Sequence, residues 1–441
     1  MRPVVGLIVA GGDLEAIKGA VESLRAYGDT VEIKVLYYLF QRGIQSWCEK
    51  ENIWADYYGG DKEGICPALK RVMTEISSKD IFLMGAEMRC LPCAVERLQS
   101  ALYGQEGAGA VCSDIVTTDV IAGRRYFKDL SDYAAKQRHG STMRTVDINW
   151  RGVLINGEFL GKMELDGGFL TPDSMLLDMA VQGTEKGFGF YQVDTAMLEA
   201  TSMESFVWDT EEAGQRDYHY MEEKWHMGYL LRKPNDELLQ FLQKDKPHFR
   251  LLEVGCASGT NLMQIGNLFP EAQLFGLEIN SHSARMAAAF AEVKVGNIEE
   301  RNLDFGDILF DYIIFGDVLE HLRDPQGTLE YCRTLLSPGG KIIASIPNLM
   351  HWSVMKQLVN GFFPYADYGL LDRTHIHFFT YYEMIKMFEE AGYKIKDVAV
   401  RKMTAPDEDT RNFVEGLMSI TEEAEEFMFW AFQYIILAEK K

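Results

Sequence analysis

The sequence predicts an α/β protein of two domains, the second built on a doubly wound, largely parallel sheet. Three observations lead there. Two long stretches each alternate short apolar runs with helix-length segments, the pattern of strands joined by crossover helices. A polar segment, "DTEEAGQRDYHYMEEK" (209–224), separates the two stretches and puts the boundary at 212/213, giving domains 1–212 and 213–441. In the second stretch an apolar run closes on an acidic residue and a glycine-bracketed turn, "LLEVGCASGTN" (251–261), at the carboxyl end of a strand, where open α/β sheets bind ligands.

The elements of the second stretch follow in order. Strand "FRLLEVG" (249–255) leads into a helix from Thr260 to Leu268, strand "QLFGLEI" (273–279) and a helix from Ser283. Strands "VKVG" (293–296) and "FDYIIFG" (310–316) precede a helix over 325–336, the turn "SPGG" (337–340) and strand "KIIASIP" (341–347). A helix near 381–391, strand "YKIKDVAVRK" (393–402), an acidic helical insert (407–426) and the apolar strand "MFWAFQYIILAEK" (428–440) complete it. Two last strands joined by a short excursion predict an antiparallel hairpin at the sheet edge. In the first stretch, residues 77–115 read as strand, loop, a helix starting near Pro92, and strand.

Length and charge narrow the function. A chain of 441 residues is long enough for two or three separately buried cores. Its formal charge of −22 argues against nucleic acid or an anionic membrane as the standing partner, because both are attracted by basic clusters. The apolar run at the start stops at Gly11, Gly12 and Asp13, too short for a secretory signal or a membrane span, so the expected location is the cytosol and no integral membrane segment is expected. Seven cysteines, odd in number and irregularly spaced, fit reduced thiols. Cys90 and Cys93 form a C-x-x-C with no second pair nearby, so they read as incidental thiols and no metal site is expected.

The turn at 255–259 asks which cofactor sits there. Gly255 and Gly259 make a G-x-x-x-G, whereas a dinucleotide pyrophosphate prefers G-x-G-x-x-G. Glu253, just before the first glycine, suits a ligand with a cationic end, since its carboxylate can meet an ammonium and would give a pyrophosphate nothing. Glu278 ends the next strand, where a carboxylate accepts hydrogen bonds from ribose hydroxyls.

"EVGCASG", "FDYIIFGDVLEHLRDP" (310–325) and "LLSPGGKIIASIPN" together resemble class I S-adenosylmethionine-dependent methyltransferases, from about Tyr218 to the C-terminus. The resemblance implies S-adenosylmethionine as cofactor, its methionine part held by Glu253, Gly255, Ala257 and Gly259, and its ribose by Glu278 with Ile279 beside it. It puts Asn297 and Ile298 at the adenine, and Gly316 and Asp317 at the end of the fourth strand. Ala257 stands where the family has a middle glycine, and Asn297 where it often has aspartate. Asn297 keeps an amide oxygen as acceptor.

Methyl transfer from a sulfonium is an in-line displacement, so alignment and water exclusion carry most of it and the protein need not supply a nucleophile. A hydroxyl acceptor benefits from a base, and histidine serves near neutral pH. His321 in "GDVLEHL" and His375 in "LLDRTHIHFFT" are the candidates, with His351 and His377 behind them and Asp317 or Glu320 as orienting carboxylates. Phe362, Phe363 and Tyr365 in the 352–368 segment suit an aromatic wall over the acceptor or plain core packing. "FGDVLEHLRDP", "SIPNLMHWSV" and "YGLLDRTHIHFF" are similar to the methyltransferase subgroup associated with glycosyltransferases and surface-polysaccharide synthesis, which implies a small-molecule or glycan hydroxyl as acceptor and glycan-assembly enzymes as partners.

The 77–115 segment resembles the middle of A-type nucleotide-sugar glycosyltransferases. Where that family carries a metal-gripping D-x-D, this chain has Gly85-Ala86-Glu87, and in "LDGGFLTPDSMLLDMAVQGTEKGFGFYQVD" (165–194) Met175, Leu176 and Gln182 replace functional residues while Asp178 stays. The first domain is therefore expected to be a degenerate member of that fold. Three function classes follow: a sugar-directed methyltransferase with a non-catalytic front domain, a bifunctional glycosyltransferase and methyltransferase, and a non-catalytic cofactor-binding scaffold.

Overall fold

The computed structural model describes residues 2–27, 31–38, 41–58, 65–117, 129–137, 140–201, 210–226, 233–243, 246–403 and 407–441. The chain divides into two compact units, Met1–Met227 and Gly228–Lys441.

The first unit is a nine-stranded mixed sheet. Its strands are β1 (Val4–Ala10), β2 (Glu32–Tyr37), β3 (Trp54–Tyr57), β4 (Asp80–Gly85), β5 (Met88–Cys90), β6 (Ala108–Val116), β7 (Thr142–Arg144), β8 (Gly152–Ile155) and β9 (Gly189–Ala200), in the order β3-β2-β1-β4-β8-β6-β9-β5 with β7 on β9. β1 and β4 are buried throughout, which is why they read as unbroken apolar runs. The helix expected from Pro92 starts at Ala94, because Cys93 sits at φ 64 and cannot continue a helical turn. All seven cysteines are free; burial pushes the Cys90 thiol up to about 12, and Cys93 is exposed.

The boundary expected at 212/213 falls inside a helix, Glu211–Trp225, that belongs to the first unit. Asp217, Lys224 and Trp225 on it face inward, while Glu211, Glu212, Gln215, Arg216 and Glu223 are exposed. Asp217, fully buried, accepts from the Leu170 N–H (2.9 Å), the Thr171 N–H (2.8 Å) and the Thr171 hydroxyl (2.9 Å). Lys224 pairs with Asp166 (2.6 Å) and Asp178 (2.9 Å), and the Trp225 indole N–H donates to Asp178 (2.8 Å). A segment that looks like a linker by polarity is thus a docked helix whose inward charges, Asp217 and Lys224, are partnered internally.

The second unit is a seven-stranded sheet of β10 (Arg250–Val254), β11 (Gln273–Glu278), β12 (Glu292–Val295), β13 (Phe310–Gly316), β14 (Leu336–Pro347), β15 (Tyr393–Arg401) and β16 (Gln433–Lys440), in the order β12-β11-β10-β13-β14-β16-β15. The strands from β12 to β14 are parallel, and β16 runs antiparallel between β14 and β15, forming the expected edge hairpin. β10 alternates faces: Leu252 and Val254 enter one core with Phe315 and Ile346, and Leu251 enters the other with Ile314 and Ile343. The chain leaves β10 toward β11 and β12, then returns on the other side at β13. The strand order therefore reverses between β10 and β13, and a crevice opens at their carboxyl ends.

Two expectations shift locally. The "SPGG" turn is an irregularity within β14, where the pairing skips from Phe310–Leu336 to Tyr312–Lys341. The final strand begins at Gln433, because Phe427–Trp430 forms a helical turn; the Asn348 amide donates to the Met428 and Ala431 carbonyls (2.7 Å each) and draws that turn inward.

Candidate active site

A cavity of about 520 Å³ occupies the crevice at the carboxyl ends of β10 to β13. That is within the usual range for a site holding a small ligand, about 300–1,000 Å³. The turn after β10 provides Gly255 and Ala257; the end of β11 provides Glu278 and Ile279. The end of β12 provides Asn297 and Ile298, and the end of β13 provides Gly316, Asp317 and His321.

The turn is shaped by its backbone. Gly255 has φ +69, and a Cβ there would lie 2.6 Å from Val318 Cγ2. Gly259 has φ +83 and heads the helix Thr260–Leu268; a Cβ there would stand 2.8 Å from Ala287 Cα, so this glycine serves close packing of two helices and does not line the cavity. Ala257 takes φ +45 in the place where the resemblance has glycine, and its N–H donates to Glu278 Oε2 (2.8 Å). The Asn280 N–H donates to Glu278 Oε1 (2.8 Å). Each carboxylate oxygen of Glu278 is thus aimed by one backbone donor and retains lone-pair capacity for a ligand hydroxyl.

Glu253 lies elsewhere than expected. It is buried beneath the turn, with Oε1 accepting from the Asn261 side-chain amide at 2.7 Å, and it is not part of the cavity wall. Asn297 lines the cavity, yet its amide oxygen caps the short turn Ile298–Glu300 by accepting the Glu299 N–H (3.0 Å). Asp317 holds φ +57, and its Oδ1 accepts from the Ser345 hydroxyl (2.6 Å) and the Gln433 amide (2.9 Å). It therefore fixes the turn after β13.

The histidines separate by environment. His321 is half-buried in the cavity wall, with Nδ1 3.2 Å from the Thr374 carbonyl. His375 meets it edge to face at 4.8 Å between ring centroids, its Nδ1 3.3 Å from the Leu370 carbonyl. Burial, then the neighbouring His321, holds the His375 imidazole below its usual range, so it is neutral near neutral pH. The loop carrying His375 folds back onto the β13 turn: the Ile376 and His377 N–H groups donate to the Glu320 carbonyl at 2.9 and 3.0 Å. His351 is buried against Phe432 and pairs with the Ser353 hydroxyl (2.8 Å), and burial drives its pKa down to about 4. His377 lies against Phe379 with Nε2 3.4 Å from the Arg323 carbonyl, and neither it nor His351 lines the cavity.

Sequence reasoning did not find Thr374, Val318 or Ser283 in the cavity wall, nor Ser345 and Gln433 behind Asp317. Gln433 is 116 residues from Asp317, and no local pattern links them.

Residues 219–398 match the family described as "Methyltransferase domain". Most of the matched stretch lies in the second unit. The chain is 27% identical over 158 residues to a ubiquinone biosynthesis O-methyltransferase of Acinetobacter baylyi, covering 34% of this chain and 65% of the relative. To the ubiquinone biosynthesis O-methyltransferase of Albidiferax ferrireducens it is 29% identical over 154 residues, covering 33% and 57%. The chain thus spans less than two thirds of the length of either relative. A solved S-adenosylmethionine-dependent methyltransferase from Archaeoglobus fulgidus aligns with TM-score 0.36 at 18% identity, covering 51% of this chain and 99% of that one.

S-adenosylmethionine is the cofactor this cavity fits. A backbone-anchored carboxylate at the end of β11 suits ribose hydroxyls, the partly apolar end of β12 at Ile298 suits an adenine face, and a glycine at φ +69 lets a ligand approach the first turn closely. Among the described residues, no helix is long and apolar enough to cross a membrane.

Proposed function

We propose that this protein transfers a methyl group from S-adenosylmethionine to a hydroxyl oxygen of a sugar or glycan. The observation that carries this reading is the position of His321, in the wall of the cofactor cavity at the β13 end, with His375 and Glu320 directly behind it. When bound, S-adenosylmethionine supplies a methyl group on a positively charged sulfonium, which an aligned nucleophile displaces. The residues of this chain do the rest. Glu278 and the 255–257 turn position the cofactor, and the His321 end relieves the acceptor hydroxyl of its proton. Asp317, fixed by Ser345 and Gln433, sets the shape of the turn from which His321 projects.

An aromatic series leads outward from this point. His375 lies 6.0 Å from Phe378, Phe378 5.3 Å from Phe363, and Phe363 5.4 Å from Tyr365, with Phe362, Tyr365 and Tyr368 exposed beyond. Ring faces beside a transfer site suit the C–H faces of a sugar. They suit a phenol ring as well, and the relatives named for ubiquinone biosynthesis favour a phenolic hydroxyl as the second reading.

The front unit is read as a nucleotide-sugar-transferase-like sheet without turnover, contributing glycan or partner binding. Two pairings support this: Glu87 is engaged by Arg151 at 3.0 Å, and Asp178 by Lys224, Trp225 and Gln182. Gly85 itself offers no side-chain ligand beside Glu87. The chemistry is expected in the cytosol, on small-molecule or glycan acceptors, in company with glycan-assembly enzymes.

The test is incubation of purified full-length protein with labelled S-adenosylmethionine and parallel panels of sugar nucleotides, oligosaccharides and phenols, read by mass spectrometry. A gain of one methyl on a sugar is the expected result. Methylation confined to phenols supports the second reading, and sugar-nucleotide turnover abolished by Glu87→Ala would establish a working front unit.

A further inference from the structure

His321 lines the cavity, and its Nδ1 meets two oxygens of a residue distant in sequence: the Thr374 carbonyl and the Thr374 hydroxyl, both at 3.2 Å. A carbonyl only accepts, so the ring proton resides on Nδ1 and the lone pair on Nε2. The hydroxyl is itself oriented. It donates to Asp372 Oδ1 at 2.6 Å, and the same oxygen accepts the Thr374 N–H at 2.7 Å. With its hydrogen committed to Asp372, the hydroxyl can only accept from the His321 ring.

Asp372, Thr374 and His321 thus form a chain that starts on a carboxylate only 4% exposed. Burial works against the charge of that carboxylate, yet the two Thr374 bonds and the neighbouring His375 and His321 hold it below the usual range, so it is ionised at neutral pH.

The chain is built into the fold. The Ala366 N–H donates to the Leu371 carbonyl and the Arg373 N–H to the Ala366 carbonyl, at 2.9 Å each, which closes the segment bearing Asp372. The Ile376 and His377 N–H groups then fasten the loop to the Glu320 carbonyl, on the short turn Leu319–His321. The other ionisable groups around His321 are engaged elsewhere. Asp317 Oδ1 accepts from Ser345 and Gln433, and Glu320 Oε1 lies 4.0 Å from Nε2 of His375, which burial keeps neutral near neutral pH.

We propose that Asp372, acting through the Thr374 hydroxyl, is the positioning residue that fixes the His321 ring and stabilises its charged form during methyl transfer. The inference rests on the reading that His321 relieves the acceptor hydroxyl of its proton. In that step the acceptor O–H bond breaks and its proton joins Nε2. An oxygen lone pair forms the O–CH3 bond, and the S–CH3 bond breaks with its electron pair staying on sulfur. The ring is then an imidazolium, whose Nδ1–H donates more strongly to Thr374, and the Asp372 charge lies one hydroxyl away. The proton passes to water once the product has left.

The experiment is nitrogen-15 NMR of full-length protein with ring-labelled histidine, the His321 signals being identified by their loss in His321→Ala. In the neutral ring the proton is expected on Nδ1. Asp372→Asn keeps the acceptor oxygen and removes the charge, so the titration midpoint of the ring should fall by about half a pH unit or more, an about threefold weaker hold on the proton. S-adenosylmethionine affinity within about twofold of wild type shows that this variant is folded. Thr374→Val, at an exposed position and with the N–H bond to Asp372 intact, should lower the midpoint too, and Thr374→Ser should restore it. With catechol and a glucose nucleotide as acceptor probes, Asp372→Asn should lower kcat about 10-fold and leave KM nearly unchanged. The proton on Nε2 in the wild type, or a midpoint unmoved in both variants, overturns the inference. A midpoint lowered by Asp372→Asn alone overturns the part given to Thr374, and an unchanged kcat overturns the part given to Asp372 in the reaction. Midpoints displaced as expected, without methylation of any hydroxyl acceptor, sustain the chain and contradict the proposed function instead.

Discussion

The two units handle buried carboxylates in opposite ways. In the first, Asp178 is fully buried and faces Lys224, Trp225 and Gln182, while Glu87 faces Arg151. In the second, Glu278 is aimed by two backbone N–H groups at the wall of a cavity. A buried carboxylate neutralised by its own chain's lysine or arginine holds a fold together. One oriented by neutral donors beside a cavity keeps capacity for a ligand. Residue type and position in a motif do not distinguish these cases; the partner does.

The comparison breaks most readily at Lys224. Replacing it by Met leaves the Asp178 carboxylate buried without its cation, although Trp225 and Gln182 remain, and is expected to cost the first unit about 3 kcal/mol. Chemical denaturation of the full chain should show this as an earlier first transition, with S-adenosylmethionine affinity unchanged, and Asp178→Asn in the same chain should restore part of it. An unshifted transition would mean that the pair carries no stability.

His321→Ala is expected to lower methyl transfer by about 10² fold or more with little change in cofactor affinity, because a group that handles the acceptor proton acts in the transition state. Single-turnover kinetics with calorimetry separates the two quantities. A larger loss in His375→Ala would move the principal role to the buried histidine.

Glu278→Gln sharpens the comparison from the binding side. It keeps the shape and one acceptor oxygen but loses a charged acceptor, worth about 2 kcal/mol, so S-adenosylmethionine should bind roughly 30-fold more weakly. Glu87→Gln, judged by the same titration, should leave cofactor affinity unchanged.

An effect confined to acid pH concerns His351, whose pKa falls from 6.5 in the unfolded chain to about 4 in the folded one. Between those values the unfolded state binds the extra proton, so stability rises with pH and is lost as pH falls below 6.5, at up to about 1.4 kcal/mol per unit, levelling off near 4. His351→Asn keeps a capping side chain at the start of the helix Trp352–Leu358 and should flatten that part of the acid unfolding profile. An unchanged slope would assign the acid sensitivity to other groups.

Much of the second unit was legible because its signals are local. Apolar runs of strand length alternate with helices, and the acidic ends of β10 and β11 sit at fixed distances from the glycine turn. Helix Thr260–Leu268 and strand Phe310–Gly316 fall where periodicity puts them. What escaped was set by contacts distant in sequence. The Ser345 and Gln433 bonds to Asp317, the return of the His375 loop to Glu320, and the burial of Glu253 beneath the turn have no local pattern. The same holds for the helix Glu211–Trp225, whose polar composition reads as a linker until Asp217, Lys224 and Trp225 are seen to face inward.

The central claim is that the crevice at β10 to β13 is an S-adenosylmethionine site, and calorimetric titration of the full chain tests it most directly, with S-adenosylmethionine and NAD as ligands and Gly255→Val as the variant. A valine at φ +69, with its Cβ 2.6 Å from Val318 Cγ2, closes the first turn. The account predicts one equivalent of S-adenosylmethionine bound by the wild type, at least about 10-fold weaker binding by the variant, and no comparable affinity for NAD. Preference for NAD, or equal S-adenosylmethionine affinity in wild type and variant, would contradict it.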